Sequence, residues 1–326
     1  RAGDTEGARR VAEEAVSAAE RIGWPWVRAR VLAGVADALA RAGDTEGARR
    51  VAENVVKVST AERIKGLWEL MLAPALAEAA GTLAWAGLTD EALAVAERIV
   101  WARARVLAGV ADVLARAGDT EGARRVAEEA VSAVERIEDP GERARALAGV
   151  AGALARAGDT EGARRVAENA VSTAERIEDS WRRAEALAGA ACALARTGDT
   201  DEAFKIVTMI DESSSRSRAQ SAIIKALVGK GSYNEAVNML HTALAEVEGF
   251  VSRQDAADYC AVLAGACLDA ADLVDAGTTT HEQWLGLARS TLARSWLYGA
   301  PVWDRFDVLL RVAPDLATRL VEERLL

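Results

Sequence analysis

The sequence predicts an all-α fold built from tandem helix–turn–helix units, and three observations lead to this prediction. Of the 326 residues, 51% are apolar but only 5% are aromatic, so the apolar content is mainly Ala, Leu and Val. Proline occurs only five times, and Ala has the highest and Pro the lowest helix propensity. One sequence block also recurs along the chain. An all-β fold is excluded, because strands favour β-branched and aromatic residues.

The recurring block, RAGDTEGARRVAE, begins at Arg1, Arg41, Arg116 and Arg156. A diverged copy, RTGDTDEAFKIV, begins at Arg196. Two weaker copies begin at Ala86 and Gly229. The turn glycines are Gly3, Gly43, Gly87, Gly118, Gly158, Gly198 and Gly231. Their spacings are 40, 44, 31, 40, 40 and 33 residues, which predicts about seven units of 31–44 residues each.

Each unit is predicted to contain two helices. In residues 28–41, Leu32, Val35 and Leu39 lie three and four positions apart, as on one face of a helix. Gly43 is expected to end this first helix and Asp44 to cap the next one. The predicted inner face of the second helix consists of Ala48, Val51, Ala52 and Val55.

The unit lengths differ in a way that helix geometry explains. The 40-residue and 33-residue units differ by seven residues, close to two helical turns, and this difference is assigned to the second helix. A helix shortened by two turns keeps its apolar face in phase. The 44-residue unit does not follow this rule, and a local irregularity is therefore expected within residues 57–88.

The end of the chain does not repeat, which predicts two domains. Residues 1–249 form the repeat array, and residues 250–326 form a helical cap over its last apolar face. Within the cap, helices are predicted over Phe250–Asp275 and His281–Tyr298, and the last segment is expected to divide near Pro314. The serine-rich run Ser213–Ser217 is predicted to be a loop between helices.

The repeated units resemble tetratricopeptide repeats (TPR). The matching positions are Leu32, Val35, Ala36, Leu39, Gly43, Asp44 and Ala48, and in a later copy Leu107, Val110, Ala111, Leu114, Gly118, Asp119 and Ala123. The resemblance covers about residues 1–245; Leu stands in place of the usual aromatic residues, and the usual proline between repeats occurs only at Pro25 and Pro140. It implies a right-handed superhelical solenoid whose concave groove binds a protein or peptide.

The resemblance also implies which residues line the groove. Carried over position by position, they are Arg30, Asp37, Arg41, Arg105, Asp112, Arg116, Arg145, Arg156 and Arg196, with Trp85 supplied by the irregular unit. The arginines that end successive first helices are expected either to clamp carboxylates or phosphates, or to pair with Asp of adjacent units. Trp24, Trp26 and Trp68 are candidates for an apolar contact site, or else fill space between alanine-rich helices.

Composition and motifs exclude several classes of function. The net charge is −10 and the pI about 5.0, so a nucleic-acid partner is not expected. No run of 18 apolar residues occurs, so no membrane partner is expected. Three cysteines without a CxxC spacing fit a reducing cytoplasm. No phosphate-binding loop, zinc motif or nucleophile elbow is present, and the chain is predicted to have no catalytic residues, metal or cofactor.

The predicted function is a non-enzymatic scaffold for protein–protein interaction. One alternative is a sensor or regulatory arm of a larger STAND-type signalling ATPase or effector, since the C-terminal segment resembles modules of repeat-bearing bacterial signalling ATPases. Another is a self-assembling array, because residues 1–22 hold a second helix without a first helix. Ala8, Val11, Ala12 and Ala15 are then expected to face water, or to pack against another copy or a preceding repeat.

Overall fold

A computed structural model of the chain describes residues 5–61, 67–97 and 103–325. Over these ranges the chain forms 17 α-helices and two short 3₁₀ turns, with no strand. The predicted all-α helical repeat fold is therefore confirmed. The chain divides into two compact units, Arg1–Val166 and Ala167–Leu326, and each is described here by itself.

The first unit is a stack of helix pairs in two layers. Its helices are α1 (Thr5–Glu20), α2 (Pro25–Arg41), α3 (Thr45–Ala61), α4 (Leu67–Trp85), α5 (Thr89–Glu97), α6 (Arg103–Ala117), α7 (Thr120–Val134) and α8 (Pro140–Arg156), and the boundary with the second unit falls within α9 (Thr160–Ala174). The first helices α2, α4, α6 and α8 pack side by side in that order. Helices α3, α5 and α7 each pack against the first helices before and after them. The first helices therefore form one layer and the second helices the other.

The second unit continues with α10 (Ser180–Thr197), α11 (Thr200–Thr208), α12 (Ser213–Gly229), α13 (Tyr233–Glu246), α14 (Arg253–Asp272), α15 (Thr279–Tyr298), α16 (Phe306–Val312) and α17 (Pro314–Leu325). Helices α10, α12 and α14 are neighbours, and α15 packs along α14. The two helices predicted over Phe250–Asp275 and His281–Tyr298 correspond to α14 and α15. The predicted division near Pro314 is also confirmed, because that residue begins α17.

The turns form as predicted because glycine accepts a left-handed backbone. The six turn glycines in the described ranges, from Gly43 to Gly231, have φ between 77° and 92°, a region that side chains with a Cβ disfavour. After Gly43, the Asp44 amide donates to the Leu39 carbonyl at 3.0 Å, closing the end of α2. The Asp44 carboxylate then accepts a hydrogen bond from the Gly47 amide at 3.0 Å and caps α3.

Small side chains allow the helices to pack closely. The predicted inner face of α3 is buried throughout, and Ala33 and Ala36 of α2 are fully buried. The 33-residue unit has a shorter second helix, as predicted, since α11 has nine residues whereas α7 and α9 have 15. Part of the expected irregular segment 57–88 lies outside the described residues.

A buried polar cluster joins three helices of the second unit. The Tyr259 hydroxyl of α14 donates to the Gln220 side chain of α12 and contacts Glu246 of α13 at 3.1 Å. Glu246 also accepts hydrogen bonds from Gln220 and from Arg216, each at 3.2 Å. Burial raises the pKa of Tyr259 above its ordinary value, with the Glu246 charge acting in the same direction. The hydroxyl therefore stays protonated and serves as a donor.

Two local predictions are wrong. The run Ser213–Ser217 is helical and begins α12, because the Glu212 carboxylate accepts hydrogen bonds from the Ser214 and Ser215 amides at 2.9 and 2.7 Å. In α1, Ala12 is buried rather than exposed, since α1 packs against α2. Val11 is exposed, as predicted.

Candidate functional site

A pocket of about 480 Å³ lies in the first unit, where the first helices α2, α4 and α6 meet. Its lining residues are Asp37, Arg41, Ala77, Glu78, Gly81, Thr82, Trp85, Gly109, Asp112, Val113 and Arg116. Five of these were predicted from the sequence, namely Asp37, Arg41, Trp85, Asp112 and Arg116. The pocket therefore brings together predicted residues from three consecutive units.

Helix α4 forms the floor of the pocket. Ala77 and Gly81 lie one turn apart, and their small side chains leave the helix backbone accessible from the pocket. Glu78 and Trp85 lie two turns apart on the same face. A Cβ atom added to Gly81 would lie 3.6 Å from Cγ2 of Val113 on α6, so the two helices are already in near contact there. Trp85 ends α4 and keeps 46% of its surface exposed. The pocket thus offers a large apolar side chain beside a shallow floor.

Ion pairs form the two walls. On α2, the Arg41 guanidinium pairs with the Asp37 carboxylate at 2.8 Å, one turn away. On α6, Arg116 pairs with Asp112 in the same arrangement, and Arg156 of α8 also reaches Asp112. Most of the Asp112 side chain is buried, whereas Arg41 and Arg116 extend into solvent. Each wall therefore carries guanidinium groups held in place by carboxylates.

A second shared carboxylate lies further along the same layer. Glu142 of α8 pairs with Arg145 of its own helix at 2.8 Å and with Arg105 of α6 at 3.7 Å. Arg105 and Arg145 were both predicted to line the groove. The predicted arginines of α6 and α8 thus contact carboxylates within the first unit, both on the same helix and between neighbouring helices.

Glu78 was not identified from the sequence, although it lies seven residues before Trp85 on α4. Its pKa is raised, first by burial and then by the nearby charge of Asp37, and the attraction of Arg30 and Arg41 only partly opposes this. Among the residues that the structure describes, no ion pair balances this carboxylate. The seven-residue spacing, two turns of one helix, was the available signal.

The other predicted residues do not line this pocket, although the charge of Arg30 acts on Glu78. Arg30 is exposed on α2, and Arg196 is exposed in the last turn of α10, in the second unit. Trp24 is exposed at the start of α2 and Trp26 is half-buried in its first turn. Trp68 belongs to α4, but its side chain is outside the described part of the structure.

No group of three or more His, Cys, Asp or Glu side chains in the described residues is arranged to hold a metal ion. Similarly, none of the helices described combines the length and apolar character that crossing a bilayer requires.

Comparisons with known proteins concern the fold. No protein-family model and no curated protein matches the chain. A Rap protein complexed with Competence and Sporulation Factor is 16% identical, with a TM-score of 0.42 over 100% of this chain and 93% of that one. A kinesin light chain protein of Podosopora anserina with nearly identical TPR-like repeats is 18% identical, with a TM-score of 0.35 over 58% of this chain and 95% of that one. A circular tandem repeat protein is 18% identical, with a TM-score of 0.32 over 90% of each chain.

At these identities and TM-scores, the likeness concerns helical repeat architecture alone and says nothing about partners. The pairs of helices and their glycine turns are features of the chain's own structure. The chain is an all-α array of helix–turn–helix repeats.

Proposed function

We propose that the first unit is a non-enzymatic scaffold that binds a protein or peptide segment in the pocket formed by α2, α4 and α6. The observation that carries this proposal is the half-exposed Trp85 in a pocket built by three consecutive first helices. Stacked helical repeats generally mediate protein–protein interaction through extended surfaces of this kind. Three free thiols, two of them buried, support a cytoplasmic location.

The chemistry of the pocket suits a peptide chain. Tryptophan is a favoured anchor in interfaces because it buries a large apolar area. The small residues Ala77 and Gly81 leave room beside it for a partner side chain. Arg41 and Arg116 are largely exposed, so they retain donors for backbone carbonyl groups of a bound segment.

Selection from a displayed library of random 12-residue peptides tests this proposal. The wild-type protein should enrich peptides that lose binding to Trp85→Ala, by about 30-fold if Trp85 is an anchor worth 2 kcal/mol. Arg116→Ala, which removes donors for the bound backbone, should also weaken them. Matched controls are Trp181→Ala, which removes an exposed Trp of α10, and Arg124→Ala, which truncates an exposed arginine of α7.

The fold of every variant is checked by circular dichroism. If no peptide depends on Trp85, or if the control substitutions weaken binding equally, the pocket is not the binding site. In either case the proposed function is wrong for this unit.

A second candidate function is self-association through α1, and a comparison within the chain supports it. Val11, Val51, Val126 and Val166 occupy the same position of the repeated block, with exposed fractions of 61%, 8%, 0% and 3%. In the unit of Val51, the first helix α2 packs along the second helix α3. The part of this apolar face around Val11 is therefore open on α1, and we propose that a second copy of the chain covers it.

Light scattering over a wide range of protein concentration tests this second proposal. The mass should rise with concentration above the 34.4 kDa of one chain, and Val11→Lys should suppress the rise. Val251→Lys is the control, because Val251 is fully exposed in the loop before α14. A mass equal to one chain at every concentration would refute self-association, as would an equal effect of both variants.

A further inference from the structure

The charges around the pocket are unequally balanced. Asp37 is paired with Arg41, and Asp112 is paired with both Arg116 and Arg156. Within the described residues, Glu78 is left without an ion-pair partner, although it lines the same pocket. The pocket therefore contains one carboxylate whose charge is available to a ligand.

The Glu78 side chain is exposed at the mouth of the pocket, but its surroundings disfavour the charged form. Partial loss of hydration is the largest cause of its raised pKa, and Asp37 is the second. Arg30 and Arg41 attract the carboxylate, but their combined effect is smaller, since the net change is upward. A carboxylate that loses hydration without gaining a partner is destabilised in its charged form. A cation placed beside it would remove that penalty.

We propose that this pocket accepts a lysine or arginine side chain of the bound segment, with its charged head at Glu78 and its aliphatic stem on Trp85. The proposal rests on the proposed function of the pocket and names the chemistry of its partner. It also assigns Glu78 as the residue that determines specificity.

The geometry of α4 fits such a side chain. Glu78 and Trp85 are seven residues apart, about 10.5 Å along the helix axis. Helical side chains lean toward the helix N-terminus, so the Trp85 ring extends over the floor made by Gly81. Lysine and arginine carry long apolar stems that pack on such surfaces while the charged group reaches a polar partner. A cationic side chain lying along the floor can therefore satisfy both residues.

An acidic segment is the competing ligand, and the ion pairs argue against it. Arg41 and Arg116 already have their charges balanced by Asp37 and Asp112, so a carboxylate of the ligand would have to compete with these residues for the guanidinium groups. Leaving a largely buried carboxylate such as Asp112 with fewer partners costs free energy. No such exchange is needed for a cation at Glu78.

The same peptide selection tests the inference when the amino-acid composition of the selected peptides is compared with that of the unselected library. Peptides that depend on Trp85 should contain Lys or Arg in excess over the unselected library. Glu78→Gln, which keeps the shape but removes the charge, should weaken them about fivefold and abolish the excess. Glu78→Arg should reverse the preference. Glu128→Gln is the matched control, because it removes an exposed carboxylate of α7.

The pH dependence of binding provides a second readout. A cation lowers the pKa of Glu78 on binding, so affinity should fall as the pH falls through the raised pKa of the free protein. Asp37, Arg30 and Arg41 of α2 and Asp112 and Arg116 of α6 also face this region. Comparing the pH dependence of affinity between wild type and Glu78→Gln separates the contribution of Glu78 from that of these five residues.

The outcomes separate the two proposals. If no peptide depends on Trp85, the proposed function fails and the inference fails with it. If peptides depend on Trp85 but carry no excess of Lys or Arg, or bind Glu78→Gln as tightly as wild type, only the inference is overturned. An excess of Asp, Glu or phosphorylated residues would also overturn it.

Discussion

Replacing Asp44 tests how strongly the first two helix pairs are joined. Its carboxylate caps α3 and also accepts two hydrogen bonds from Arg9 of α1, at 2.7 and 2.8 Å. The equivalent residue of a later copy, Asp119, caps α7 in the same way at 2.9 Å. Asp119 is exposed and has no ion-pair partner among the described residues. The two positions thus differ in the contact with arginine and in the burial of the carboxylate, since Asp44 is buried.

The expected effects follow from these contacts. Loss of a cap costs about 1 kcal/mol at either position. The hydrogen bonds from Arg9 hold the pKa of Asp44 at about 2, below its ordinary 3.8, which corresponds to at most about 2.4 kcal/mol. Because half of the Arg9 side chain is exposed, screening by water reduces this to about 1 kcal/mol. Asp44→Ala should therefore cost about 2 kcal/mol and Asp119→Ala about 1 kcal/mol.

Urea denaturation followed by circular dichroism measures both variants. A lowered pKa stabilises the fold above the unfolded value near 4, and this stability is lost as the pH falls toward 2. The excess cost of Asp44→Ala should therefore be present at neutral pH and shrink between pH 4 and pH 2. Equal costs for Asp44→Ala and Asp119→Ala at neutral pH would refute the reasoning, as would a difference that persists below pH 2.

Three further predictions concern stability and reactivity. Gly43→Ala should lower the free energy of unfolding by about 1 kcal/mol, because φ at this position is +86°. Gly34→Ala should raise it by about 0.8 kcal/mol, because Gly34 lies within α2 and a Cβ atom there meets open space. Tyr259→Phe should cost about 1–2 kcal/mol in urea denaturation, since buried acceptors lose their donor. Cys260 and Cys267 should not react with a disulfide reagent at neutral pH before unfolding, because burial raises their pKa values to about 11 and about 12.

Each of these has a result that would contradict it. Equal effects of the two glycine substitutions on the free energy of unfolding would show that the positive φ of Gly43 does not determine the cost of adding a side chain there. A Tyr259→Phe protein as stable as wild type would mean that the hydroxyl does not stabilise the cluster. Reaction of Cys260 or Cys267 in the folded protein, at the rate seen in urea, would show that these thiols are accessible.

The repeat pattern was predictable because its determinants are local. A glycine at Gly43 accepts positive φ, and an aspartate just after it caps the next helix, so a few neighbouring residues decide each turn. The serine run beginning at Ser213 was misinterpreted because serine has modest helix propensity. The side chain of Glu212 offsets this by capping the helix start.

The pocket was only partly predictable. Asp37, Arg41 and Asp112 follow from positions that recur in the regular units. Glu78 was missed because the equivalent position of the regular units is a glycine, as at Gly34 and Gly109, and offers no side chain to carry over. The cluster of Gln220, Glu246 and Tyr259 joins three helices, and no spacing in the sequence indicates which buried polar groups will meet.

The carboxylate of Asp112, shared by Arg116 and by Arg156 of the next helix pair, has a consequence for how the first unit unfolds. Neighbouring pairs in such an array are coupled through their interfaces, and this coupling makes them unfold together. Here part of the coupling is electrostatic, and dissolved ions screen it through the arginines, which are more exposed than Asp112. Raising the ionic strength should therefore loosen one helix pair from the next while leaving the apolar contacts within each pair intact. Added salt should therefore lower the cooperativity of unfolding more than it shifts the midpoint.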